Sequence, residues 1–213
     1  MTDEFYEKCT ALVYRFERAQ RAKHSFGVYK EACGICDLAG IGGRERDDIA
    51  AAALLHDLAH DMPLEKQYEI MDAAGVDYGD IKAYPTVVHQ RAGAVLAKRE
   101  LPLLSDESCR IIECHTTGKV GMTTGEKIVC LGDFIEPGRE YAGCRAVREY
   151  FYSKAEKITD TEQLDRVIGE SLREEFGITL DHLKKKGYPI HPTTVAVYGI
   201  LCSEYGKRVI FLK

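Results

Sequence analysis

His56 and Asp57 stand side by side in Leu54-Leu55-His56-Asp57-Leu58, at the end of an apolar run that begins at Ile49. An imidazole beside a carboxylate is a donor pair for a divalent cation. Four more residues of the same chemistry, His24, His89, His115 and Asp133, each fall on the apolar stripe of a different helical segment. On a helix His56 shares a face with Ile49, Ala52 and Ala53, while His115 lies with Ile111 and Ile112. By the same phase His89 lies with Ala92, Gly93 and Leu96, and Asp133 with Val129 and Cys130. An uncompensated buried carboxylate costs several kcal/mol, so Asp133 needs a cation or an arginine as partner. Four inward histidines beside two inward aspartates favour the cation. A donor set of imidazoles and carboxylates without thiolate suits iron, manganese, cobalt, nickel or zinc better than calcium or magnesium. Six ligands exceed the needs of one ion. Sharing through a bridging carboxylate points to two ions about 3.5–4 Å apart, an arrangement suited to hydrolysis of phosphoesters and anhydrides.

The elements that must position these groups read as helices throughout, because apolar residues recur at three and four positions rather than two. The fold class is therefore all-α. Thr2 caps a first helix to about Ala19, and a second helix carrying His24 ends near Gly40. The spacing predicts a third helix from about Arg44 to His60 and a fourth from Pro63 to Gly75. Pro85 precedes the His89 helix, and Ser105 caps the His115 helix, which stops at Thr116-Thr117-Gly118. The Asp133 helix runs from about Thr124 to Ile135 and is halted by Pro137-Gly138. A short segment around 143–156 leads to a helix from near Asp160 to Lys186, and Pro192 opens a last helix ending near Gly206. The chain, 1–213, reads as one domain, with a metal-site core of about 15–150 and C-terminal helices 160–206 packing on it.

Composition narrows the function classes. The chain of 213 residues is long enough for one sizeable core. Its net charge of −5 argues against a nucleic-acid or anionic-membrane surface. No apolar stretch approaches the roughly 20 residues a membrane-spanning helix requires. The N-terminus shows no basic region followed by an apolar one, which predicts a cytoplasmic location with the eight cysteines kept as thiols. Cys33-Gly34-Ile35-Cys36 sits mid-helix with no second pair and reads as core packing. Lys184-Lys185-Lys186 reads as a solvated helix end, and His182 and His191 as residues that ligate nothing.

The order His24, His56-Asp57, His89, His115, Asp133 resembles the HD phosphohydrolase superfamily. Three stretches narrow the resemblance to the YqeK family of symmetrically cleaving bis(5'-nucleosyl)-tetraphosphatases: Ala53 to Asp57, His115-Thr116-Thr117-Gly118 with Gly121-Met122-Thr123, and Glu126-Lys127-Ile128 through Asp133 to Arg139. The similarity spans roughly residues 15 to 195. It implies a single-domain helical HD fold, diadenosine tetraphosphate as substrate, two ADP as products, and a di-iron centre. Carried over by position, His24, His56, Asp57 and Asp133 would hold one metal, with Asp57 bridging to a second bound by His89 and His115. Asp57 and His60 are the expected catalytic residues. His60 stands three residues after Asp57, where many HD enzymes carry a lysine that meets phosphate.

Arg139, whose guanidinium matches phosphoryl oxygens in two-point geometry, is the expected phosphate contact, with Thr117 and Gly118 offering hydroxyl and backbone N–H groups to the nucleotide. Glu136 is expected to orient Arg139 or to cap the chain. Attack of a metal-held hydroxide would expel ADP. The alternatives are an HD phosphohydrolase for another nucleotide, a di-iron oxygenase on the same ligands, and a nucleotide sensor that binds without turnover. The expected partner is a small nucleotide. Oligomeric state is left open, a homodimer among the options.

Overall fold

A computed structural model describes residues 1–155 and 161–211, and its α-helices follow the apolar spacing closely. In order they are α1 (Asp3–Phe16), α2 (Ala19–Ala39), α3 (Gly43–Leu55), α4 (Leu64–Ala73), α5 (Val88–Glu100), α6 (Asp106–Cys114), α7 (Thr124–Ile135), α8 (Ala142–Ala155), α9 (Thr161–Lys186) and α10 (Pro192–Tyr205). A 3₁₀ turn, Pro85–Val87, leads into α5. No strand occurs among the described residues, which makes the fold all-α. Among the described residues no helix is long and apolar enough to cross a membrane.

Caps set several of the boundaries. Thr2 accepts from the Phe5 amide, Ser105 from the Ser108 amide, and Gly40 closes α2 in the left-handed conformation. Thr123 and Glu126 form a reciprocal capping box at the start of α7. Gly118 is required twice over. Its φ is +65°, and a Cβ there would lie 2.8 Å from the Phe176 ring and 3.2 Å from Val197.

The core is built around α2, α3 and α7. Ala51, Ala52 and Ala53 of α3 are buried, and such small residues let α2 and α7 approach closely. Gly132 serves the same end on α7, where a Cβ would touch the backbone of Ala32 on α2. Phe151 of α8 and Phe176 of α9 fill the far side. Helix α9 packs against α7, α8 and α10, continuing one apolar core from α1 to α10.

Three elements differ from the sequence expectation. The α1 helix ends at Phe16 rather than Ala19, because Glu17 is extended. Regular helix in α3 ends at Leu55 rather than His60. The chain continues in turns bonded three residues apart, from Leu58 to Leu55, His60 to Asp57 and Met62 to Ala59. The cause is local: the His56 ring donates from Nδ1 to the Ala53 carbonyl at 2.8 Å, taking the acceptor that the next helical rung would use. Thirdly, the segment around 143–156 is the helix α8, with Cys144, Val147, Phe151 and Ala155 as its buried stripe. Asp160 lies outside the described residues, and α9 is described from Thr161.

Candidate metal centre

Five elements bring the six expected ligands together. His24 comes from α2, His56 and Asp57 from the end of α3, His89 from α5, His115 from the end of α6, and Asp133 from α7. Their donor atoms form three overlapping groups, each within 4.8 Å: His24–His56–Asp57, His56–His115–Asp133 and Asp57–His89–His115. Asp57 lies at the middle. Its Oδ2 faces His56 Nε2 at 3.4 Å and His24 Nε2 at 3.8 Å, while its Oδ1 faces His89 Nε2 at 3.5 Å and His115 Nε2 at 3.7 Å. One carboxylate thus addresses two pairs of imidazoles with separate oxygens. Asp133 Oδ1 reaches His24 Nε2 at 2.8 Å and His56 Nε2 at 3.8 Å.

The fixed tautomers fit a cation. A carbonyl oxygen only accepts, so the 2.8 Å contacts from His56 Nδ1 to Ala53 and from His115 Nδ1 to Ile112 put N–H on Nδ1. In the neutral ring this leaves the Nε2 lone pair pointing inward, the outer-shell pattern of ligating histidines. His56 Nε2 is buried and has no hydrogen-bond partner. Such an orphaned acceptor within a ring of acceptors is what a cation would satisfy.

Charge follows the same geometry. Burial opposes ionisation of Asp57, yet the surrounding imidazoles, His56 foremost, hold its carboxyl well below the usual range. Asp133 is also held low against burial, by Arg139 and His24. Burial disfavours a charge on His24, but its bonds to Asp133 and Glu136 raise it to about 9. Burial lowers His89 to about 3 and so keeps it neutral.

Glu136 takes a role the sequence left only partly legible. It caps the chain by accepting from the Gly138 amide at 2.6 Å, and its other oxygen accepts from His24 Nδ1 at 3.0 Å. Its side chain orients His24 rather than Arg139. Gly27, one turn beyond His24, makes the room: a Cβ there would lie 2.4 Å from Glu136 Oε2. Glu136→Gln is expected to weaken metal binding by roughly 10–100-fold, the usual cost of losing such an outer partner, as read by metal titration.

Arg21 was missed in the sequence. Its Nη1 donates to Asp57 Oδ2 at 2.7 Å and its Nη2 to His60 Nε2 at 3.2 Å. Its only sequence signal is the spacing Arg21-x-x-His24, one helical turn. His60 lies at the more exposed rim, edge-on to His89 with ring centres 4.8 Å apart, and burial lowers its pKa. Because arginine only donates, His60 Nε2 is the acceptor in this contact. Gln90 was likewise missed. It accepts from the Thr116 and Thr117 amides and donates to the Thr117 hydroxyl, fixing the turn after His115.

Those bonds correct the expectation for Thr117 and Gly118. The Thr117 hydroxyl is buried and also donates to the Gly118 carbonyl, and the Gly118 amide donates to Cys114. Neither residue has a donor left for a nucleotide. His191 accepts from the Thr193 amide as the cap of α10, away from the six donors. All eight cysteines are free; Cys36 is buried, which pushes its thiol up to about 12, and none joins the donor groups.

Comparison with known proteins gives the family. The model of the HD domain family matches residues 21–159, most of the chain and a range that contains all six donors. The chain belongs to the HD-domain family. Over 92% of its length it is 28% identical to the symmetrical bis(5'-nucleosyl)-tetraphosphatase of Bacillus subtilis, covering 97% of that protein. The protein of the same name from Halalkalibacterium halodurans is 30% identical, again with 92% and 97% covered. Among solved structures, a predicted HD superfamily hydrolase of Clostridium acetobutylicum, described as involved in NAD metabolism, superposes with a TM-score of 0.80. It is 28% identical, with 93% of this chain and 97% of that one covered. Within the HD family the chain therefore groups with YqeK-like hydrolases, and its fold is that of an HD superfamily hydrolase.

Proposed function

We propose that this HD hydrolase cleaves diadenosine tetraphosphate symmetrically into two ADP at a two-metal site. The observation that carries the reading is the placement of Asp57, whose two oxygens each face a separate pair of histidine Nε2 atoms. His24, His56, Asp57 and Asp133 would hold one ion, and His89 and His115 the other, with Asp57 shared between them. The donor set suits iron, manganese, cobalt, nickel or zinc, and the resemblance to the symmetrical tetraphosphatases makes iron the first choice among them. When bound, the ions supply Lewis-acid polarisation of a phosphoryl oxygen and an acidified water.

The chain's own residues do the rest. The Nδ1 bonds of His56 and His115 to backbone carbonyls keep both rings from turning. The buried Ala50–Leu55 wall behind them keeps bulk water out of that side. Arg21, at the open rim between Asp57 and His60, is placed to meet a phosphate oxygen of the substrate. His60 acts through Arg21, accepting from one nitrogen so that the other end of the guanidinium is aimed. In the reaction, water adds to one of the two inner phosphoryl groups, the central P–O bond breaks, and the other half departs as ADP. The names of the relatives support the dinucleotide as substrate.

The test is product chromatography with anaerobically purified, metal-analysed protein on a panel of nucleotides. Two ADP from diadenosine tetraphosphate is the expected result; ATP plus AMP overturns the symmetrical cut, and no cleavage with full metal overturns the hydrolase.

A further inference from the structure

Arg139 is held in a position that conflicts with the cation it flanks. Its Nη2 donates to Asp133 Oδ1 at 2.5 Å and lies 3.4 Å from His24 Nε2, and those two atoms are themselves 2.8 Å apart. The guanidinium nitrogen therefore lies against two atoms that the first ion would need. The arrangement also leaves the guanidinium incompletely used, because Arg139 Nε is buried with no hydrogen-bond partner. A fork with one occupied prong and one orphaned N–H is matched by an acceptor with two oxygens on one centre, which a phosphoryl group supplies.

The backbone that carries Arg139 is pinned. Arg148 donates from Nε to the Ile135 carbonyl at 2.5 Å and from Nη2 to the Glu136 and Arg139 carbonyls at 2.5 and 2.9 Å. The Arg139 amide donates to the Glu136 carbonyl at 3.0 Å. A change of partner for Arg139 is therefore a rotation of its side chain, which is partly exposed, and not a movement of the turn.

We infer that Arg139 exchanges partners on metal loading: its guanidinium competes with the cation for Asp133, beside His24, and once displaced it binds phosphate through its Nε edge. This inference rests on the nucleotide hydrolase reading for its second half only. Its consequence is a coupling between sites: the cation frees the arm that holds phosphate, and a bound phosphate that retains the arm favours the cation by the same factor. A guanidinium that merely buttresses Asp133 would do the opposite, since its loss weakens a metal ligand.

The experiment is Mn²⁺ titration of metal-stripped wild type, Arg139→Met and Arg139→Lys at one pH, followed by ADP titration of each metal-loaded protein, with circular dichroism as the check on folding. Arg139→Met, which keeps the length of the stem, is expected to bind Mn²⁺ roughly tenfold more tightly than wild type and ADP roughly tenfold more weakly. Arg139→Lys, still cationic but unable to present a fork, should keep Mn²⁺ affinity near the wild-type value while losing ADP affinity. Weaker or unchanged Mn²⁺ binding in Arg139→Met overturns the competition, and unchanged ADP binding overturns the exchange. Neither readout uses dinucleotide cleavage, so a failed product assay and a failed exchange are separate results.

Discussion

Asp57→Ala is expected to lose both ions and about a thousandfold or more in hydrolysis while its helix content is unchanged. The size follows from position. Asp57 is the one carboxylate whose two oxygens face both pairs of imidazoles, so its loss removes the shared anion rather than one ligand of several. Metal stabilisation of developing charge is worth several kcal/mol, and each 1.36 kcal/mol is tenfold in rate. The fold survives because Asp57 lies in the turns after α3, not in the interlocked stripe of Leu54, Leu55 and Leu58. Removing the acid also frees Arg21, which is partly exposed and keeps His60 as a partner. Asp57→Asn separates charge from shape, since it keeps the volume but neutralises one of the two anions facing the histidines. It is expected to lose metal as Asp57→Ala does. Elemental analysis, circular dichroism and turnover on the same preparations decide it: full turnover by either variant with its metal content verified would refute the assignment.

What the sequence showed and what it hid divide along physical lines. Apolar spacing placed His56, His89, His115 and Asp133 on inward faces, because burial of a stripe is a property of one helix alone. Cap chemistry was equally legible, Ser105 and Gly40 ending up where their side chain and backbone freedom put them. The end of α3 was not, since whether the His56 ring donates to Ala53 depends on a rotamer that spacing does not set. Helix α8 was read as a short segment because its stripe is narrow and interrupted by Arg145, Arg148 and Glu149. Arg148 turns out to clamp three carbonyls at the end of α7, a role that no local pattern reveals. Arg21, Gln90 and Glu136 were hidden for a related reason. A polar residue on a helix reads as a solvated face until the neighbouring helix is in place, and the partner of Glu136 is 112 residues away. The donors Thr117 and Gly118 were misjudged in the same way, for Gln90 reaches Thr117 from another helix and the Gly118 amide turns back to the Cys114 carbonyl.

Affinity for the ion that His24 would hold is expected to rise about tenfold for each pH unit between about 6 and 9, with one proton released as that site fills, and then to level off. The sign follows from His24. Burial works against its charge, but the bonds to Asp133 and Glu136 prevail and lift it to about 9, with Asp57 adding to the negative surroundings and Arg139 opposing. Near neutrality the His24 ring is therefore a cation in the metal-free protein, donating from Nδ1 to Glu136 and from Nε2 to Asp133. An ion that takes Nε2 must expel that proton, so acid weakens binding throughout the range below about 9. The other shifted groups contribute no slope there. Burial lowers His89 to about 3, leaving it neutral, while Asp57 and Asp133 are held ionised well below the range. His24→Ala should bind metal more weakly and lose this slope. Calorimetric Mn²⁺ titration in buffers of different ionisation enthalpy counts the proton directly, and a wild-type affinity that does not change with pH would show that His24 Nε2 is not a ligand. The same proton gives the metal-free fold a pH signature of the same origin. A histidine raised to about 9 from its ordinary 6.5 adds stability that is complete below 6.5 and lost as the pH climbs to about 9. Over that window His24 makes the apo protein less stable and better able to take up metal, so the thermal gain on adding Mn²⁺ should be larger at the alkaline end than at the neutral end.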